Sequence, residues 1–399
     1  MPPFRFQLLS DLHLETPLSS PSYTYFSNPN TLPIHAPHLF LLGDIDLVNH
    51  PQLFTFLSRI LENNSDVVIY YLMGNHEAYG TTLEIAIEKL QTFEDSVQEK
   101  YAGIGRRFVF LNRTRIDISP TLTLLGCTLW THIPTLAHST CADLLTDFNE
   151  STGIWDRSVH EHNLDHARDV EWLNQSVKRI AETELEREIV VLTHHSPTID
   201  SRANSVRHAK SSVRWGFRTD LSRQECWTSE RVKVWGFGHT HYNCQFWDEV
   251  ESGHGDGLER NGDGGGRKKL VLANQKGYGQ KGIEVVVVER GEEGWRVGLG
   301  AKESLRDSPL IERSLIVDSK EVKHGDDRAG EEDGNERSGT AVGQDSALGC
   351  PEPRRDATGQ PTVEHAGSLS EQGVEREADM EYSTWRRAAV KFKGLLSHK

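Results

Sequence analysis

Short apolar runs of strand length alternate with longer segments of helical period along residues 4–297. Phe4 to Leu9 is apolar and stops at Ser-Asp, and His38 to Leu42 stops at Gly-Asp; runs this short with abrupt polar ends predict strands. Residues 51–64 carry Leu53, Phe54, Leu57, Ile60 and Leu61 at helical spacing behind Pro51, which suits a first turn, so a helix is predicted there. Val67 to Met73 reads as a third strand, and Leu83, Ala86, Ile87, Leu90 and Val97 mark a second helix. Strand and helix thus alternate as in an α/β sheet.

The middle of the chain changes character. RFVFLN, RIDIS and TLTLLGCTLW, from about 107 to 130, are close-spaced strands that read as antiparallel pairs. A helix follows near 163–182, where His166, Val170, Leu173, Val177 and Ile180 form a core-facing stripe. Strands return at Glu188 to Thr193, Arg231 to Phe237, Lys269 to Ala273 and Ile283 to Glu289, with a Gly-rich hairpin loop predicted at 251–267. That loop lacks the Gly-Lys-Ser/Thr ending of a phosphate-cradling P-loop. The pattern predicts an α/β domain of layered sheets covered by helices.

Composition limits how far this domain extends. Beyond about residue 300 the chain is rich in Glu, Asp, Arg, Gly and Ser with few aromatics, so a domain at 1–297 and a disordered acidic and polar tail at 298–382 are expected. The final segment, 383–399, carries no acid; Trp385, Ala389, Phe392 and Leu396 fall at helical spacing beside Arg386, Arg387, Lys391 and Lys393. This basic amphipathic pattern suits a weak membrane-surface or protein contact. A net charge of -15 argues against stable nucleic-acid binding. The 5 cysteines are scattered singly and read as reduced thiols. With no apolar leader and no run of 18 apolar residues, a cytoplasmic location is the expectation.

Metal-binding residue types gather where the predicted strands end. Asp11-Leu12-His13 follows the first strand; residues i and i+2 of a strand share a side, so both side chains can face one metal. Gly43-Asp44 follows the second, where a carboxylate offers two oxygens, enough to bridge two cations. Gly74-Asn75-His76-Glu77 follows the third, and adjacency in a turn sends Asn75 and His76 in different directions. Thr193-His194-His195 ends another strand, and Gly238-His239-Thr240-His241 repeats the i, i+2 geometry. In open α/β sheets ligands collect beyond the carboxyl ends of strands, so the shared placement makes the set significant where each motif alone is weak.

In these motifs the chain resembles the calcineurin-like metallophosphoesterases, whose signature runs D-x-H, G-D, G-N-H-E/D, H and G-H-x-H. The resemblance implies an α/β/β/α sandwich of two mixed sheets flanked by helices. It implies that Asp11, His13 and His241 hold a first metal, that Asn75, His194 and His239 hold a second, and that Asp44 bridges them. His76 corresponds to the family's non-ligand histidine, the general acid on the leaving group. Two cations roughly 3.5 to 4 Å apart would activate a bridging hydroxide for in-line attack on phosphorus. This ligand set suits Mn, Fe, Zn or Ni. The protein Ser/Thr phosphatase branch resembles GDxVDRG and GNHExR, whereas this chain reads GDIDLVN and GNHEAYG, without the arginines. A small phosphomonoester or phosphodiester is therefore the expected substrate. The competing expectation is a binding or scaffold protein on the same fold, acting through its C-terminal tail.

Several further residues have lesser expected roles. His195 is expected to support the site from behind and Glu77 to fix its turn by hydrogen bonding. His132 is expected equally as a structural loop residue or a substrate contact, and Asn163 and His166 chiefly as a helix cap and a packed histidine. Residues 201–223 carry Arg202, Arg207, Lys210, Arg214, Arg218 and Arg223 against one acid, Asp220, and are expected as a basic surface loop or, less simply, as an anion clamp over the site.

Overall fold

The computed structural model describes residues 3–16, 23, 32–206, 209–249, 268–278 and 284–299, all within the first of the chain's two units, residues 1–307. The loop expected at 251–267, the basic segment at 383–399, the tail at 298–382 beyond its first two positions, and Arg207 lie outside the described residues. Among the described residues no helix is long and apolar enough to cross a membrane. Cys127, Cys141, Cys226 and Cys244 are free thiols.

Two six-stranded mixed sheets form the body. The first contains β1 (Phe4–Leu9), β2 (His38–Leu42), β3 (Val68–Leu72) and β4 (Phe108–Phe110) in parallel. Its other two strands, β11 (Val286–Gly291) and β12 (Gly294–Leu299), add antiparallel beside β1. The second sheet has the order β5 (Thr114–Ser119), β6 (Leu122–Cys127), β7 (Glu188–Thr193), β8 (Val232–Phe237), β10 (Lys268–Ala273) and β9 (Cys244–Glu249). Its four inner strands are parallel and its two edges antiparallel.

Strand parity sorts the apolar side chains into three cores. Leu39 and Leu41 of β2 join Leu53, Phe56 and Leu57 of helix α1 (Pro51–Asn63) and Leu90 of α2 (Leu83–Lys100) on the outer face of the first sheet. Their neighbours Phe40 and Leu42 point the other way, into a layer with Val190 and Leu192 of β7 between the two sheets. Ile189 and Val191 of β7 then face outward onto Leu173, Val177 and Ile180 of helix α4 (Val159–Thr183). This gives the expected α/β/β/α layering. Continuous apolar strands such as VIYYL and EIVVLT are what burial on both faces requires.

The structure corrects the reading of residues 107–130. β4 does not pair with β5; it continues the first sheet parallel to β3, and only β5 and β6 form the expected antiparallel pair. Arg113, with φ of 49°, turns the chain between them, so the short spacing that resembled a hairpin is a crossing from one sheet to the other. Helix α4 starts at Val159 rather than near 163, because Ser158 and Glu161 form a reciprocal capping box. β9 and β12 were not anticipated. β9 pairs antiparallel with β10, Glu249 opposite Lys268, so strands of a hairpin flank the Gly-rich stretch. Two further α-helices are short, α3 (His138–Leu144) and α5 (Glu225–Thr228).

Aromatic rings pack the layer between the sheets. Phe40 is fully buried there, its ring 4.5 Å from that of Phe6 and 5.3 Å, edge-on, from that of Tyr70. Phe40→Ala should destabilise the domain by about 3–5 kcal/mol through lost burial and a residual cavity. Urea unfolding followed by tryptophan fluorescence checks this; the midpoint should fall with little change in slope.

Candidate metal centre

All eight positions singled out in the sequence converge at the carboxyl ends of β1, β2, β3, β7 and β8. They do not converge by strand parity. β1 ends at Leu9, β2 at Leu42 and β8 at Phe237, and residues beyond them adopt left-handed backbone: Asp11, His13, Asp44, His239 and His241 have φ of 54°, 46°, 53°, 68° and 49°. A non-glycine residue in this region carries strain of order 1–3 kcal/mol, sustained only when its surroundings fix it. Here they do. The Asp11 N–H donates to Gly43 O at 3.0 Å and the His13 N–H to Asp44 O at 3.0 Å, tying the first loop to the second. In the second sheet, Gly238 N–H donates to His194 O at 2.8 Å, tying the loops after β7 and β8 together.

The turns also separate His239 from His241, which strand alternation would have placed together. His241 Nε2 lies 3.3 Å from Asp11 Oδ1 and 3.0 Å from His13 Nε2. His239 Nδ1 lies instead 3.1 Å from His194 Nε2. Asp44 stands between the two groups: its Oδ2 is 3.3 Å from His194 Nε2 and 4.0 Å from each of His13 Nε2, His239 Nδ1 and His76 Nε2. Two acid and imidazole groups able to hold a cation are thus Asp11, His13 and His241, and Asp44, His194 and His239; His13, Asp44 and His76 form a third.

Outer hydrogen bonds fix which ring nitrogen faces inward. His13 Nδ1 pairs with Glu15 Oε1 at 3.1 Å, His194 Nδ1 donates to Leu42 O at 2.7 Å, and His239 Nε2 donates to Gly216 O at 3.2 Å. In the neutral ring each leaves the lone pair of the opposite nitrogen directed into the centre. Asn75 is oriented the same way. Its amide Nδ2 donates to Tyr79 Oη at 2.7 Å and Asp147 Oδ1 at 2.8 Å, which turns Oδ1 inward, 3.2 Å from His194 Nε2. Lone pairs facing one another at about 3 Å repel unless a proton or a cation lies between them, so this donor set fits metal ions.

Burial by itself would raise the Asp44 carboxyl, but the charges of His194 and His76 hold it well below the usual carboxylate range. Burial likewise opposes charge on His194 and His76, yet Asp44 outweighs it and each is pushed up to about 9. Glu77 accepts hydrogen bonds from the N–H groups of Asp44, Ile45 and Gly74 at 3.0, 2.9 and 2.9 Å, and from Tyr71 Oη at 2.7 Å, fixing the turn as expected. Gly74 is required by contact: a Cβ there would stand 2.2 Å from Asp44 Oδ1 and 2.7 Å from His194 Nε2.

The remaining candidates sort plainly. His195 is fully buried behind the second group, its ring 4.2 Å from that of His239. Asn163 is structural, its Oδ1 accepting from Ile133 N–H at 2.9 Å and its Nδ2 donating to Ile133 O at 2.8 Å; His166 pairs with Trp130 O. His132 is exposed. The basic loop reaches the site through Gly216 O and the Phe217 ring, 5.0 Å from that of His239, while Arg202 is bound to Asp200 and Asp248. Three residues were missed. Glu15 spans His13 and His76, Asp147 orients Asn75, and Tyr278 Oη lies 3.1 Å from His76 Nε2. Only Glu15 had a sequence signal, the continued alternation of D-L-H-L-E.

A cation must displace the proton that His194 holds up to about pH 9 in the metal-free protein. Metal affinity should therefore rise with pH, by at most about tenfold per pH unit for this one proton, and level off above that value. Titration calorimetry with Mn in buffers of different ionisation enthalpy measures the accompanying proton release; pH-independent affinity without proton release would contradict the assignment.

A family model described as calcineurin-like phosphoesterase matches residues 4–243. Among similar solved structures, phosphopantetheinyl hydrolase from Mycobacterium tuberculosis is 12% identical with a TM-score of 0.46, covering 69% of this chain and 90% of that chain. Another is 11% identical with a TM-score of 0.41, covering 75% and 100%. No curated protein matches the chain. The family match covers more than half of the sequence and contains every residue of the two candidate cation groups, so the chain belongs to the calcineurin-like phosphoesterases, hydrolases of phosphate esters that work with divalent metal ions.

Proposed function

We propose that the protein hydrolyses a small phosphomonoester or phosphodiester at a dinuclear centre. Asp11, His13 and His241 hold one ion, Asn75, His194 and His239 the other, and Asp44 is shared. The single observation that carries this reading is the position of Asp44 Oδ2, 3.3 Å from His194 Nε2 and 4.0 Å from both His13 Nε2 and His239 Nδ1. When bound, two cations supply a water made nucleophilic near neutral pH and neutralise charge on the phosphoryl oxygens.

The protein's own groups do the rest. His76 is left as the general acid, because Asn75 rather than His76 turns its oxygen toward His194, while the His76 ring is held from behind by Glu15 at 3.2 Å. With Nδ1 fixed on a carboxylate, Nε2 is the nitrogen that faces the leaving group. Access favours a small substrate: Asp11 and His13 are fully buried, Asp44, Asn75 and His76 nearly so, and among the described residues of the two groups His241 has the most exposed side chain, at 28%. The net charge of -15 further disfavours a polyanionic substrate.

Purified protein supplied with Mn should hydrolyse an aryl phosphate mono- or diester, and chelation should stop it. Asp44→Asn should lower kcat by at least about a hundredfold while the protein still unfolds cooperatively, since the substitution removes the shared charge without a change of size. Full turnover by the Asn variant would overturn the dinuclear reading.

A further inference from the structure

His76 Nε2, the nitrogen that must face the leaving group, is already engaged. Tyr278 Oη lies 3.1 Å from it, and the Tyr278 ring packs 4.3 Å from the His13 ring and 4.7 Å from the His241 ring. The backbone that delivers Tyr278 is pinned to the metal-ligand loop: Lys276 N–H donates to Ser10 O at 3.2 Å and Gly277 N–H to Asp11 O at 3.0 Å. Gly277 has φ of 69°, and a Cβ on it would come within 3.3 Å of His241 Cγ, so glycine lets this segment close onto the rings. Tyr278 lies beyond the 4–243 span of the family match.

We propose that Tyr278 is a second catalytic residue, whose hydroxyl stands between His76 and the leaving-group oxygen and passes the proton from one to the other. This rests on the reading of His76 as the general acid. Glu15 Oε1 accepts Nδ1–H of His76 at 3.2 Å, so in the doubly protonated ring the remaining N–H, at Nε2, donates to Tyr278 Oη. The phenol O–H is then free to donate forward. In the reaction, the bond from the attacking water oxygen to phosphorus forms as the bond to the leaving oxygen breaks with its electron pair. The leaving oxygen takes the phenol proton, the phenol oxygen takes the proton from His76 Nε2, and the attacking water releases a proton to solvent. His76 ends neutral, still bound to Glu15, and regains its proton from solvent.

The test compares two esters in the Mn-loaded full chain: an alkyl phosphate ester, whose leaving group must be protonated, and a 4-nitrophenyl ester, whose leaving group departs as the anion. Tyr278→Phe keeps the ring against His13 and His241, so metal content and melting temperature serve as controls. In Tyr278→Phe, kcat on the alkyl ester should fall about a hundredfold and kcat on the 4-nitrophenyl ester less than about fivefold, the same selectivity as His76→Ala. If His76→Ala is selective but Tyr278→Phe keeps wild-type rates, loses both esters equally or changes only KM, the relay is wrong and the acid role of His76 stands. If His76→Ala is not selective, or the wild type turns over neither ester, the underlying reading fails and the relay with it.

Discussion

Asp44 is the constraint around which the rest is arranged. One buried carboxylate oxygen stands within 4.0 Å of imidazole nitrogens from His13, His76, His194 and His239, which come from loops after four different strands in both sheets. A carboxylate removed from water needs compensating charge or hydrogen bonds, and here partners from every side supply them. The Asp44 backbone is tied in as well, its N–H to Glu77 and its carbonyl to His13 N–H. Moving any one of these loops leaves a buried charge uncompensated, so the sheets are held in one relative position at this edge.

Strain and packing complement each other at the same place. Five left-handed non-glycine residues gather at the centre, and the conformation that alternation along a strand could not produce sends His239 and His241 to different groups. The apolar layer between the sheets, with Phe6 stacked on Phe40, provides the rigid footing that holds such turns. Outer partners then set the tautomers: Glu15, Leu42 O and Gly216 O each take one imidazole N–H, leaving the inward nitrogens as acceptors for cations. The same Glu15 oxygen reaches His76, so the proposed ligand sphere and the proposed acid share one support.

Much of this was legible from the sequence because it is local. β1, β2 and β7 end where their apolar runs stop, and the residue types that follow them name the chemistry. What failed was non-local. The partner of β4 is β3, because Arg113 turns the chain into the other sheet, and no periodicity records that crossing. β9 is a half-exposed edge strand, CQFWDE, without clean alternation, so its pairing with β10 was invisible. Asp147 and Tyr278 reach Asn75 and His76 across separations of 72 and 202 residues, and nothing in their own neighbourhoods marks them. Asp11 and His13, expected to share a side along a strand, meet instead through left-handed turns.

The central claim, that Asp44 is shared between two cations, is most directly tested by anomalous diffraction from crystals of the Mn-loaded protein. Two anomalous peaks are expected roughly 3.5–4 Å apart on either side of an Asp44 carboxylate oxygen, one near His13 and His241 and the other near His194 and His239. A single peak, or peaks that Asp44 does not join, would contradict it.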